Sequence, residues 1–187
     1  QFTEGDVQHW WYPDGSGIRT RISDDRLYLP YLTALYVRTT GDQAILDTQI
    51  PWLQGDVLNE EDEQRFFTPE TTQHTAALRE HCLRAIHCTE QGIHGLPLTQ
   101  GGESVWLGMF LCEVLRLFAP LCDAATAKAL QEQRHKLLRL MDRHAWDGNW
   151  YLRGWNSAGK PIGTKDADEC RIDLLPQSWG VLCGVSR

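Results

Sequence analysis

The chain has 187 residues, 42% of them hydrophobic and 23% charged, which is enough apolar material for the core of one ordinary domain or for a piece of a larger one. Twenty-five acidic against eighteen basic residues give a formal charge of -7, and the scattered Lys and Arg argue against nucleic acid as a partner. No apolar run reaches the ~20 residues of a membrane span, and Gln1-Phe2-Thr3-Glu4-Gly5-Asp6 lacks the basic start and apolar stretch of a signal peptide, so a cytoplasmic protein is expected.

In chain order, Leu27, Leu29, Tyr31, Leu32, Leu35 and Tyr36 recur at helical spacing behind the polar cap Ser23-Asp24-Asp25, predicting a helix over 24–40. A short helix is expected at Asp42–Asp47, then a polar loop through Asn59–Gln64. Ala76, Leu78, Cys82, Leu83, Ile86 and His87 on or near one face predict a helix over 72–89, and the glycines of Gly92–Gly102 a loop. The stretch 103–118 is apolar almost all round, as an inner helix is; 123–145, capped by Asp123, alternates apolar and charged residues as an outer one does. Trp146 to Gly163 reads as a β-hairpin bending at Asn156-Ser157-Ala158-Gly159, and a last helix is expected from Pro176 to Arg187. Alternating buried and amphipathic helices predict an all-α fold, an incomplete (α/α) barrel or toroid of helical hairpins with one small β-hairpin.

The cysteines Cys82, Cys88, Cys112, Cys122, Cys170 and Cys183 form no CxxC pair and no zinc-finger spacing, so they read as reduced thiols, and no metal site is expected. The eight tryptophans suit sugar faces as well as cores; about half are expected inside and two or three in a cleft.

Several stretches share one pattern: Glu4-Gly5-Asp6-Val7-Gln8-His9-Trp10-Trp11; Gly17-Ile18-Arg19-Thr20-Arg21-Ile22-Ser23-Asp24-Asp25; Gly92-Ile93-His94-Gly95-Leu96-Pro97-Leu98 leading into Gly102-Glu103-Ser104-Val105-Trp106; Trp146-Asp147-Gly148-Asn149-Trp150-Tyr151; and Ile172-Asp173-Leu174-Leu175-Pro176-Gln177-Ser178-Trp179. Together and in this order they resemble glycoside hydrolase family 94, in wording nearest to the phosphorylase-like domain of cyclic β-1,2-glucan synthases. The resemblance implies an inverting phosphorylase fold, a β-linked glucan as partner, inorganic phosphate as co-substrate, no cofactor, and a larger parent polypeptide. It also implies an aspartate acid in an Asp-Trp-Asn-Asp-Gly motif, where this chain has only Thr99-Gln100-Gly101 between Leu98 and Gly102. The resemblance implies a phosphate loop many residues after the Gln177-Ser178-Trp179 stretch, and it is not among these 187 residues.

The matched positions Arg19 and Asp25 are expected to hold glucosyl hydroxyls, with a capping Asp and a surface ion pair as the plain alternative and Arg21 and Asp24 as structural partners. His9, between Gln8 and the rings of Trp10 and Trp11, is read either as a sugar or phosphate contact or as a loop histidine satisfied by backbone. Glu103 is the carboxylate nearest the missing acid, set against its ordinary place in a first helical turn. Gln177 is a candidate substrate contact or a helix cap. Two main function classes remain, a portion of a glucan phosphorylase or synthase domain, inactive alone, or a non-catalytic glucan-binding or structural remnant, with a hydrolase using another carboxylate as a third for which no carboxylate pair can be named.

Overall fold

The computed structural model describes residues 1–185. Its backbone forms two compact units, Gln1–Cys88 and the described residues from Thr89 onward. The all-α expectation is overturned: among the described residues five α-helices and two short 3-10 helices, Ala44–Asp47 and Ala119–Leu121, stand with three antiparallel sheets, 42% helix and 22% strand, so sheet supplies a substantial part of each unit's hydrogen bonding.

In the first unit, β1 (Gln8–Trp11), β2 (Gly17–Thr20) and β4 (Gln64–Phe67) form one sheet, and β3 (Gln49–Gln54) pairs with β5 (Glu70–Ala77) in another. The predicted helix over 72–89 divides here. Its first part is strand β5, where Thr71 and Thr75 sit opposite Leu53 and Pro51, and only Leu78–His87 is helix α2. Branched threonines at 71, 72 and 75 suit a pleated strand, and an available partner strand outweighs weak helical periodicity. The polar loop likewise ends in β4.

Helix α1 (Asp25–Thr40) buries Leu27, Pro30, Ala34 and Val37, one stripe at three- and four-residue spacing, while Tyr28, Leu32 and Tyr36 remain exposed. Asp24 occupies the cap position without a side-chain cap bond; the other end closes on Gly41, whose φ of 75° suits glycine and whose N–H returns to the Val37 carbonyl. Helices α1 and α2 pack together, and Phe2, Leu27, Leu46, Cys82, Ala85 and Ile86 are buried.

In the second unit, β6 (Leu98–Thr99), β7 (Gly102–Ser104), β8 (Gly154–Asn156) and β9 (Pro161–Ile162) follow one another in an antiparallel sheet. The expected hairpin is present as β8–β9, with the Asn156 side chain accepting from the N–H groups of Ala158 and Lys160 at its bend. Helix α3 (Val105–Phe118) starts two residues later than expected, because Glu103 is spent in β7 and Ser104 caps the helix through Leu107 N–H. It is buried almost all round, packed by α4 (Ala124–His144) and α5 (Leu174–Cys183). Asp123 caps α4 as expected, accepting from Ala125 and Thr126 N–H at 3.0 and 3.1 Å. Helix α5 ends at Cys183; the final part of the expected helix, 186–187, lies outside the described residues. Of the eight tryptophans Trp155 alone is fully buried, Trp10 and Trp11 are exposed, and the rest are half-buried.

His81 shows how the first unit responds to acid. It is 2% exposed, its ring stacks on Trp52 with centroids 3.8 Å apart, and Nε2 lies 3.0 Å from the Ile50 carbonyl. Burial, the largest influence, pushes its pKa below the usual imidazole value. A depressed histidine stabilises the fold above the unfolded-state pKa of about 6.5, and that contribution is lost as pH falls from there toward the folded pKa. Thermal unfolding should therefore show Tm falling as pH drops below about 6.5, with a smaller fall in His81→Gln. An unchanged pH profile in that variant would remove His81 from the account.

Candidate functional site

Strand β1 sets out the first unit's candidate groups. Gln8 pairs with Arg19 and Trp10 with Ile18, so His9 is the extra residue of a bulge. Bulges re-aim side chains, and here Nδ1 of His9 lies 3.0 and 2.9 Å from the two carboxylate oxygens of Asp25, the first residue of α1. Thr20 Oγ1 donates to Asp25 Oδ2 at 3.1 Å and accepts from Ile22 N–H at 3.2 Å. An ionised carboxylate only accepts, so the hydrogen sits on Nδ1, and in the neutral imidazole the His9 Nε2 lone pair is presented. The carboxylate is 15% exposed and the imidazole 41%, a pair reachable from solvent but partly dehydrated. Neighbouring Asp24 has its carboxyl pKa raised, mainly by burial, with the Asp25 charge adding to it; burial also raises the Tyr28 phenol, with Asp24 next in weight.

Trp10, Ile18 and Phe66 form a cross-strand row on one sheet face. Trp10 and Phe66 close over Ile18 with ring centroids 5.8 Å apart, and Tyr12 stands edge-on to them at 5.3 and 6.3 Å. All three rings are exposed, as is Trp11 at 65%.

Alternation along β2 sends Arg19 to the opposite face from Trp10. There it is 2% exposed, over the Phe2 ring at 4.0 Å, and every N–H meets a protein oxygen. Nε and Nη2 donate to the two oxygens of Asp6 at 2.7 and 2.8 Å, Nη2 also to Glu4 at 3.1 Å, and Nη1 to the carbonyls of Gly55 and Asp56 at 3.2 and 3.0 Å. Burial opposes this charge, but the hydrogen bonds and attraction of Asp6, then Glu4, outweigh it and hold the guanidinium pKa above its ordinary value. The structure thus brings His9 to Asp25 and commits Arg19 to Asp6 and Glu4. Arg21, expected beside Asp24, donates instead to the carbonyls of Leu58, Asn59 and Asp62. Sequence reasoning passed over Asp6, Thr20 and Phe66, although the first two lie inside the quoted motifs.

In the second unit Glu103 is 4% exposed and turns into its own loop: Oε1 accepts from His94 N–H and Leu96 N–H at 3.0 and 3.1 Å, and Oε2 lies 2.5 Å from His94 Nδ1. Gly92 permits this, since a Cβ there would come within 2.4 Å of Glu103 Cγ. Gln177 on α5 mimics a strand toward Tyr151, accepting its N–H at 2.9 Å and donating to its carbonyl at 2.8 Å, with a further bond to the Asp173 carbonyl. Leu98 pairs with Glu103 and Thr99 with Gly102, so Gln100-Gly101 forms a two-residue turn at the place where an acid motif was expected from the resemblance.

Residues 1–187 match the model for the glycosyl hydrolase 94 superfamily, catalytic domain. The chain belongs to this family. Among characterised proteins it is similar to the cyclic beta-(1,2)-glucan synthase NdvB of Rhizobium meliloti (strain 1021), 39% identical over 208 residues that cover 98% of this chain and 7% of that protein. It is also similar to the solabiose phosphorylase of Paenibacillus borealis, 27% identical over 100% of this chain and 24% of that protein. A third relative, the cellobionic acid phosphorylase of Neurospora crassa, is 29% identical over 88% of the chain and 21% of its own length. The chain therefore spans a quarter or less of these family members. The alignment with the synthase is longer than this chain, so that protein carries residues with no counterpart here.

The Arg19 network is testable by unfolding. Removing one partner of a buried ion pair strands the others, so Arg19→Met should destabilise the first unit by about 3–5 kcal/mol in urea titration followed by circular dichroism. Arg19→Lys keeps the charge without the fork and should fall between. A loss below about 1 kcal/mol for Arg19→Met would show that the acidic pair and the carbonyls are satisfied without it.

Proposed function

We propose that this chain is the glucosyl-recognising portion of a larger family 94 enzyme, acting on β-linked glucans with phosphate as co-substrate, and that alone it neither phosphorolyses nor hydrolyses them. The observation that carries this reading is the His9–Asp25 pair on the strand that bears the exposed Trp10. A pyranose offers apolar C–H faces and a rim of hydroxyls, matching rings beside a carboxylate acceptor and an imidazole of fixed tautomer. In this reading Asp25 accepts from a glucosyl hydroxyl, His9 Nε2 accepts from a second, and Trp10 supplies the stacking surface. Arg19 is a positioning residue, holding β2 so that Thr20 reaches Asp25.

Relatives named as a cyclic glucan synthase and as disaccharide phosphorylases support the substrate class. Departure of a sugar alkoxide requires a placed proton donor, which typically contributes about 10²–10⁴ in rate. The tip Thr99-Gln100-Gly101 supplies none, and the carboxylate nearest to it, Glu103, is held by His94 and Leu96.

The purified chain, incubated with cellobiose or linear β-1,2-glucan plus phosphate, should release no glucose 1-phosphate, while tryptophan fluorescence reports saturable binding of the glucan. Asp25→Asn and Trp10→Ala should each weaken binding about tenfold, the equivalent of 1.4 kcal/mol. Phosphate-dependent release of glucose 1-phosphate would overturn the inactive reading, and absence of binding would overturn the recognition reading.

A further inference from the structure

Outside the β1 surface, the second unit holds a polar arrangement that the glucan reading does not use. The Glu103 carboxylate, 4% exposed, is fixed by two backbone N–H groups, and its second oxygen stands 2.5 Å from Nδ1 of His94. Because a carboxylate only accepts, Nδ1 carries the hydrogen, and in the neutral imidazole Nε2 is left with its lone pair. One face of the imidazole stacks on the Trp155 indole, centroids 4.2 Å apart at 24°, and His144 lies 5.3 Å away at a tilt. Three restraints thus act on one ring: a carboxylate on its edge, an indole on its face and its own backbone N–H tied to the same carboxylate.

The Glu103 bonds to His94 N–H and Leu96 N–H fall on Oε1, and the imidazole satisfies Oε2 through Nδ1 alone, which leaves its other nitrogen uncommitted. Nε2 makes no hydrogen bond among the described residues, and the side chain is 21% exposed. An acceptor of fixed tautomer, backed by an indole and open on one edge, is the arrangement that recognises a hydroxyl.

We propose that His94 Nε2 is a sugar-hydroxyl contact in the second unit, accepting from a hydroxyl of a β-linked gluco-oligosaccharide, with Glu103 as the positioning residue that sets its tautomer. The proposal rests on the glucan reading and adds a second contact point independent of Asp25 and His9. Gly92 belongs to the device, since any side chain there displaces the Glu103 carboxylate.

The experiment is a long-range proton–nitrogen NMR correlation of the imidazoles in the 15N-labelled chain, with the His94 signals assigned by their absence in His94→Asn. The Nδ1–H tautomer is expected, and titration with cellobiose or a linear β-1,2-gluco-oligosaccharide should shift Nε2. Glu103→Gln keeps the shape but offers an amide N–H to Nδ1, so it should invert the tautomer and weaken the response at His94 by about tenfold, the span of one good hydrogen bond. His94→Asn leaves Glu103 and the loop bonds intact and should weaken the response at the Trp155 indole signal to the same degree, leaving the Trp10 and Trp11 signals unmoved.

An Nε2–H tautomer in the parent chain would overturn the proposal whatever the sugar does. Sugar-dependent shifts at His9, Trp10 and Trp11 without any at His94 would overturn it while sparing the glucan reading. Shifts at neither place would remove both. If Glu103→Gln does not fold, His94→Asn alone decides, and an unaltered Trp155 response there is a refutation.

Discussion

A guanidinium carries five N–H donors and a permanent charge, and burying it demands an oxygen for each. In the first unit that demand is met at Arg19 by Asp6, Glu4 and the carbonyls of Gly55 and Asp56. These partners come from the segment before β1 and from the loop after β3, so one side chain on β2 holds two pieces of irregular backbone that no ladder would hold. Once β2 is fixed there, Ile18 faces the other way, Trp10 and Phe66 close over it, and Thr20 arrives at Asp25. The exposed groups owe their placement to the buried one.

The second unit solves the same problem with the opposite charge. Glu103 is a buried anion whose donors come from the loop ahead of β6, and its close approach depends on the absence of a side chain at Gly92. A buried ion with every partner in place is a weak source of net stability but a strong source of geometry, because any displaced partner leaves a desolvated charge behind. In both units the residue drawn into the interior is the ionic one from a family stretch, and a neutral or exposed residue beside it is left to face solvent.

The parts of this arrangement that were legible in the sequence are the local ones. Helix α3 declares itself by being apolar on every side, α4 by Asp123 and its two-sided pattern, and β8–β9 by Asn156-Ser157-Ala158-Gly159. Strand β5 was hidden because its identity lies in its partner: residues 70–77 pair with a strand twenty residues earlier that contains Pro51 and whose register slips between Pro51 and Leu53. The candidate residues divide the same way. Motif position named Arg19, Asp25, His9 and Glu103, but which of them would meet is a matter of contacts 13 to 37 residues apart, and no spacing argument reaches that far. The pairing of His94 with Glu103 was within reach, since nine residues and a tight turn separate them.

The β6–β7 turn also bears on what holds the register of its strands. Gln100 and Gly101 are exposed, and even a Cβ on Gly101 would meet nothing within 4 Å. The strands on either side are tied by Leu98 to Glu103 and by the Glu103 carboxylate to the preceding loop, so they are clamped side by side. The hairpin tip thus faces open space with both flanking strands held by contacts outside it, so its own two residues contribute little to the register on either side.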